Sequence, residues 1–161
     1  MPIYATGTSG TIGRHLKSRV NNLDIDLSVS KKDFVLPNGI KTANLIHLAG
    51  IVGLKAVNDD LKKSISVNIS GTARLAESFK SQSNGIFYYV STSHVYAPSS
   101  ARIDENGEIG PINRYAEQKY IAETVLRNMK KPTTRPWPMN TVARNPPWRM
   151  FCNQSVRDAK P

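Results

Sequence analysis

The chain is short of cysteine, of acid and of long apolar runs, and each shortage excludes something. A single cysteine, Cys152, in 161 residues rules out an internal disulfide and a cysteine metal cluster, and makes a reducing cytoplasm the default compartment. No stretch of about 18 apolar residues occurs, so no segment reads as a membrane span. Met1-Pro2-Ile3-Tyr4 lacks the basic stretch and apolar core of a signal peptide. No His/Cys/Asp grouping has metal-ligand spacing, and no internal repeat is visible. Acids number 12 against 22 Lys and Arg, a formal net charge of +10. That surplus by itself suggests an anionic partner such as nucleic acid or anionic lipid. What is present, 39 % hydrophobic and 21 % charged residues, is the composition of a soluble globular protein of one domain with an appendage.

The charge is not spread evenly. Residues 1–128 carry 15 Lys/Arg and 11 Asp/Glu, a net of +4, whereas 129–161 carry 7 and one, a net of +6. The last 33 residues also hold both tryptophans, the cysteine and six of the ten prolines. Pro132, Pro136, Pro138, Pro146 and Pro147 each remove a backbone donor and fix φ, so no helical or strand period survives there. The sequence therefore divides into a domain over 1–128 and a Pro-rich basic tail over 129–161 without a recognisable fold.

Within the domain, short apolar strands alternate with amphipathic helices. Ile3-Tyr4-Ala5 starts the series, and Ile12, Leu16 and Val20 mark one face of a first helix. Leu23 to Leu27 alternates apolar and acidic residues as a second strand. Asn44 to Ala49 is a third, mostly apolar, as befits a strand buried on both faces. A long helix is expected over 59–79, with Leu61, Ile65, Ile69, Ala73 and Ala76 inward. Ile86 to Val90 is a fourth strand. A loop covers 97–113, and Asn113 caps a last helix with Ala122, Val125 and Leu126 inward. This alternation predicts an α/β fold, a Rossmann-like doubly wound parallel sheet.

Thr6-Gly7-x-x-Gly10-x-x-Gly13 joins the first strand to the first helix. Small residues suit a dinucleotide there: Gly7 makes the tight turn, Gly10 lets a pyrophosphate approach, and Gly13 lets helix and strand pack closely. The helix N-terminus offers free N–H groups to phosphate. The spacing alone is a weak signal; its place between strand and helix strengthens it. An acid about 20 residues on would take the adenosine ribose. Asp26 stands 19 residues after Gly7, and favours NAD over NADP by repelling a 2′-phosphate. Asp24 competes for the role, and Arg14, Lys31 and Lys32 keep NADP open.

Tyr115 and Lys119, four residues apart, share a helix face. A neighbouring ammonium is expected to lower the phenol pKa and fit the tyrosine for proton exchange with a hydroxyl near neutral pH. Ser91-Thr92-Ser93 at the end of the fourth strand adds hydroxyls that can polarise a substrate oxygen. His47, inside an apolar strand, is expected to satisfy backbone groups rather than bind metal. His94 lies where it could meet a substrate or serve only the loop.

Taken together, four blocks resemble the extended short-chain dehydrogenase/reductases, in particular the NAD-dependent epimerase/dehydratase group acting on nucleotide sugars. They are Thr6-Gly7-Thr8-Ser9-Gly10-Thr11-Ile12-Gly13, His47-Leu48-Ala49-Gly50, Val67-Asn68-Ile69-Ser70-Gly71-Thr72, and Tyr89 to Tyr96 with Tyr115-Ala116-Glu117-Gln118-Lys119. The resemblance covers about 1–128. It implies that Gly7, Ser9, Gly10, Thr11, Ile12 and Gly13 cradle the pyrophosphate and Asp26 the ribose. It implies that Leu48, Ala49 and Gly50 line the cofactor groove, with Asn68 bracing it and Ser91 beside it. Thr92, Tyr115 and Lys119 would be the catalytic set, Tyr115 as acid/base. In such enzymes a sugar carbon gives hydride to the nicotinamide while the tyrosine takes the hydroxyl proton. A homodimer through the long helix and the Tyr-Lys helix is a further expectation of the resemblance.

The chain departs from that pattern in three places. Only 33 residues separate Gly13 from His47, too few for a further strand, helix and strand, so one unit of the sheet is expected to be trimmed. Ala97 follows Tyr96 where the family commonly has glycine. The resemblance stops near Arg127-Asn128, before the family's substrate-binding region, so activity toward a nucleotide sugar is open. The composition break at 129 is what a reading-frame shift or premature truncation gives. Alternatives are a cofactor-holding remnant or sensor without chemistry, and a genuine tail in which Arg135, Trp137, Arg144, Trp148 and Arg149 contact phosphates and stack on bases.

Overall fold

The computed structural model describes residues 1–29, 34–101, 103–129 and 142–143. Five parallel strands form one sheet in the order β2-β1-β3-β4-β5: β1 Ile3–Thr6, β2 Asn21–Asn22, β3 Asn44–His47, β4 Phe87–Val90 and β5 Val142–Ala143. Helix α1 (Thr11–Leu16) links β1 to β2. A helical run links β3 to β4, and α5 (Arg114–Asn128) follows β4. From β1 the chain steps outward to β2, and from β3 it steps outward the other way to β4. Right-handed crossovers then put α1 and the β3–β4 helices on opposite faces, which is the doubly wound arrangement.

The core lies on the side of the β3–β4 helices. Leu45, Phe87 and Tyr89 point from the sheet toward Leu75 and Phe79 on one helix and Ala122 and Leu126 on α5. Val125, expected inward, is half-buried. Asn113 caps α5 as expected, its side chain accepting from the Ala116 N–H at 2.9 Å.

Two expected elements differ. The second strand is Asn21–Asn22 rather than Leu23–Leu27. The alternation over 23–27 is nevertheless real: Leu23 and Leu27 are buried, Asp24 and Asp26 exposed. It reports burial of side chains, not backbone pairing. The Leu23 N–H reaches the Ala5 carbonyl at 2.8 Å, and β1 then ends in the turn at Gly7, so the ladder has nothing further to pair with. The neighbouring stretch 34–36 is held by side chains instead: Gln82 donates to the Phe34 carbonyl at 2.8 Å and accepts from the Leu36 N–H at 3.1 Å. Between β2 and β3 the described residues contain only the single turn of 3₁₀-helix Asn38–Thr42, in keeping with a trimmed sheet.

The long helix is broken into α2 (Leu54–Asp59), α3 (Leu61–Ile65), a π-helical turn (Ser66–Gly71) and α4 (Thr72–Gln82). Asp60 leaves helical geometry and caps α3 by accepting from the Lys63 N–H at 2.9 Å, as a short acid at a helix start does. The inward stripe is displaced as well. Leu61 and Ile65 are 38 % and 41 % exposed, and of the five expected residues only Ala76 is fully buried. The buried face carries Ser64, Asn68, Gly71, Thr72 and Leu75 instead. The wider π turn inserts a residue into the helical count and rotates the faces that precede it. Of the tail, Val142–Ala143 pairs with Tyr89–Val90 as the edge strand; the remainder of 130–161 lies outside the described residues, as do Lys31 and Lys32.

Candidate cofactor and proton-transfer site

The switch point between β1 and β3, where the winding reverses, places the glycine-rich turn beside the segment after β3. Gly7 adopts φ +71°, and a Cβ there would stand 2.6 Å from the Ala49 backbone nitrogen; only glycine fits. The Gly10 N–H closes the turn on the Gly7 carbonyl at 3.1 Å. Gly13 lies against the Gly7 carbonyl and Thr8 with no room for a side chain. At Gly10 the surroundings are open, and α1 starts there with no side-chain cap and no acid in its first turn. Ser9, Thr11 and Ile12 are exposed along the same rim. A closed turn, an open Gly10 and free helix-start N–H groups fit a diphosphate. Thr8 steadies the turn by donating to Asn22 Oδ1 on β2 at 2.6 Å.

Asp26 is exposed and turned into a local loop, accepting from the Ser28 N–H at 2.9 Å and hydroxyl at 2.6 Å. Those bonds hold its carboxyl below the usual range, so it is ionised at neutral pH. Asp24, also exposed, stands two residues nearer to β2.

His47 satisfies side-chain hydroxyls rather than backbone. Its Nδ1 lies 2.7 Å from Thr6 Oγ1 and its Nε2 3.0 Å from Thr72 Oγ1. Burial, with the Lys119 ammonium nearby, pushes its pKa down to about 3, so the ring is neutral. The Ala49 N–H donates to the same Thr6 oxygen at 3.3 Å. One turn along the helical run, Asn68 braces the next residues: its Oδ1 accepts from the Ile51 N–H at 2.8 Å and its Nδ2 donates to the Ile51 carbonyl at 2.9 Å. Leu48-Ala49-Gly50 is thus fixed at both ends.

Beyond β4, Thr92 caps a 3₁₀ turn (Ser93–Val95), accepting from the His94 N–H at 3.3 Å. The loop then folds back on this turn. The Ala97, Gly110 and Ile112 N–H groups donate to Glu108, Val95 and His94 carbonyls at 2.9, 3.1 and 3.3 Å. This return brings the start of α5 back against the Ser93–Val95 turn. Among the described residues the Ser91 hydroxyl oxygen, just past β4, is buried with no hydrogen-bond partner.

Lys119 is where the expected electrostatics fail. Its ammonium sits 4.1 Å from the ring centroid of Tyr89, a residue given no role by its place in the sequence. Burial lowers its pKa to about 7, against the opposing pull of Glu123. Tyr115 is raised by burial, not lowered by the lysine. Spacing of four put the two side chains on one helix face, but the ring of β4 takes the ammonium. Gln118, which the sequence placed in the Tyr115–Lys119 block without a role, and Glu123, which it did not single out, are both buried; a polar residue on the inward face of α5 was the available signal.

A parallel α/β sheet with a glycine turn at its switch point defines a Rossmann-like domain. The profile of the NAD dependent epimerase/dehydratase family matches residues 37–137, and the chain belongs to that family. It is 26 % identical over 137 residues to GDP-6-deoxy-D-mannose reductase of Pseudomonas aeruginosa strain PAO1, covering 76 % of this chain and 45 % of the reductase. Among solved structures, RMD from Pseudomonas aeruginosa complexed with NADPH superposes with a TM-score of 0.64 at 28 % identity, over 78 % of this chain and 48 % of the other. MoeE5 in complex with UDP-glucuronic acid and NAD shares the fold, with a TM-score of 0.66 at 20 % identity over 79 % and 49 % of the two chains. The chain spans about half the length of the relatives it matches.

Proposed function

We propose that the domain binds NAD(P) at the β1/β3 switch point and supports hydride and proton transfer at a sugar hydroxyl or ketone of a nucleotide sugar. The observation that carries this reading is the closed glycine turn with its open, uncapped helix start, set against the braced 48–51 segment. Gly7, Ser9, Gly10, Thr11, Ile12 and Gly13 would hold the diphosphate. Asp26 or Asp24 would meet the adenosine ribose, and Leu48, Ala49, Gly50 and Ser91 would line the groove. When bound, the nicotinamide supplies hydride acceptance and donation. Thr92 would hold the substrate oxygen and Tyr115 would exchange its proton, with Lys119 leaving the Tyr89 ring to support the phenolate. Exposed Leu61, Ile65 and Ile121 (46 %) on α3 and α5 support self-association through those helices.

A second reading, cofactor binding without turnover, is favoured by the Tyr115 phenol raised by burial and the ammonium held away on Tyr89. Fluorescence titration with NADH and with NADPH tests the shared part. Saturable binding of either, lost in Gly10→Val, is the expected result; absence of both would overturn the proposal. Nucleotide-sugar-dependent NAD(P)H formation that Tyr115→Phe abolishes would select turnover over binding alone.

A further inference from the structure

Gln118 lies next to Lys119, yet it faces the helical run that follows β3. It is 4 % exposed. Its Oε1 accepts from Asn68 Nδ2 at 2.8 Å, and its Nε2 donates to Ser64 Oγ at 2.9 Å. Ser64 Oγ, 0 % exposed, reaches back to the Leu61 carbonyl at 2.9 Å and the Val57 carbonyl at 3.3 Å. The same Asn68 amide holds both backbone groups of Ile51. An unbroken chain of hydrogen bonds, part-buried at Ile51 and buried from Asn68 onward, therefore runs from Ile51, which closes the 48–51 segment, through Asn68 to the helix of Tyr115 and Lys119. Asn68 sits inside the π turn, where the helix departs from α geometry, a feature often found at functional sites. A buried amide that keeps both its donor and acceptor satisfied fixes a single arrangement of the parts it joins, because any slip leaves a polar group unpaired.

We propose that Gln118 is a positioning residue: through Asn68 it locks the groove-lining segment 48–51 to the Tyr115–Lys119 helix, so that cofactor groove and proton-transfer pair keep one fixed separation. The functional half of this statement rests on the reading above; the mechanical half does not.

Gln118→Met in the full 161-residue chain retains length and volume but neither hydrogen bond. Amide hydrogen exchange is the first readout. The Ile51 amide should exchange roughly fivefold faster, the equivalent of one net hydrogen bond, while the Leu126 amide near the far end of α5 is unchanged. NADPH affinity is the second readout, and it should fall by a similar factor with little change in melting temperature. Faster exchange at Ile51 and Leu126 alike, in step with lost stability, would overturn the proposal, as would unchanged exchange at Ile51. Should the methionine variant not fold, Gln118→Ala takes its place; failure of both to fold would also overturn it, since the residue would then serve stability at large. If Ile51 responds but wild-type protein binds neither NADH nor NADPH, the lock stands and the functional reading fails.

Discussion

At the scale of single residues, burial decides what each titratable group can do. His47 would take a proton near pH 6.5 in the unfolded chain, whereas the native ring between Thr6 and Thr72 takes it only near pH 3. The unfolded state therefore binds more protons between those values, so stability is full above about pH 6.5 and is lost as pH falls toward 3. The gap corresponds to a loss of order 5 kcal/mol. Unfolding free energies measured against pH should show that extra acid slope in wild type and not in His47→Gln; parallel curves for the two proteins would show that the ring does not titrate this way. Lys119 follows the same sign at higher pH: its native pKa near 7 makes stability fall as pH drops from about 10.5 to 7. The ammonium is thus held at a cost in stability, which is how charged groups are commonly kept at reactive sites.

At the scale of elements, the turn between β1 and α1 carries a tight steric demand. Gly13 meets the Gly7 carbonyl and Thr8, which are backbone and cannot swing aside. Gly13→Ala should therefore destabilise by roughly 1–3 kcal/mol, the usual range for forced overpacking, and should displace α1 enough to weaken NAD(P)H binding. Denaturant unfolding and the fluorescence titration check the two effects; a variant as stable as wild type would mean that α1 yields freely. The helical run after β3 shows the limit of periodicity. Leu61, Ile65 and Ile69 repeat correctly for one helix face, and that face points outward. Its polar inward counterpart, Ser64, Asn68 and Thr72, is buried because each group finds a partner. Nothing in an apolar count announces a hydrogen-bonded face, since the side-chain partners lie 25 to 54 residues away in sequence.

At the scale of the whole molecule, the exposed apolar side chains of α3 and α5 bear on assembly. Leu61 and Ile65 of α3 and Ile121 of α5 are exposed apolar side chains on the two helices proposed above to carry self-association. Ile65→Glu should convert a concentration-dependent dimer to monomer without loss of fold. Sedimentation equilibrium would settle it, and a wild type that is monomeric at tens of micromolar would remove the dimer.

The sequence alone made legible the order of strands and helices, the glycine turn and the Asn113 cap. Those features are local: a turn needs particular φ angles, a cap needs one short side chain, and an apolar strand needs only its own residues. It also located the change in character at 129, because charge and proline are counted without a fold. The tertiary structure alone decided which side chains lie against which. It gave the Lys119 ammonium to Tyr89 rather than to Tyr115, moved the second strand to Asn21–Asn22, turned the apolar stripe outward and joined Gln118 to Asn68. Each of these depends on contacts between residues distant along the chain, where burial and the pairing of polar groups, not spacing, set the energy.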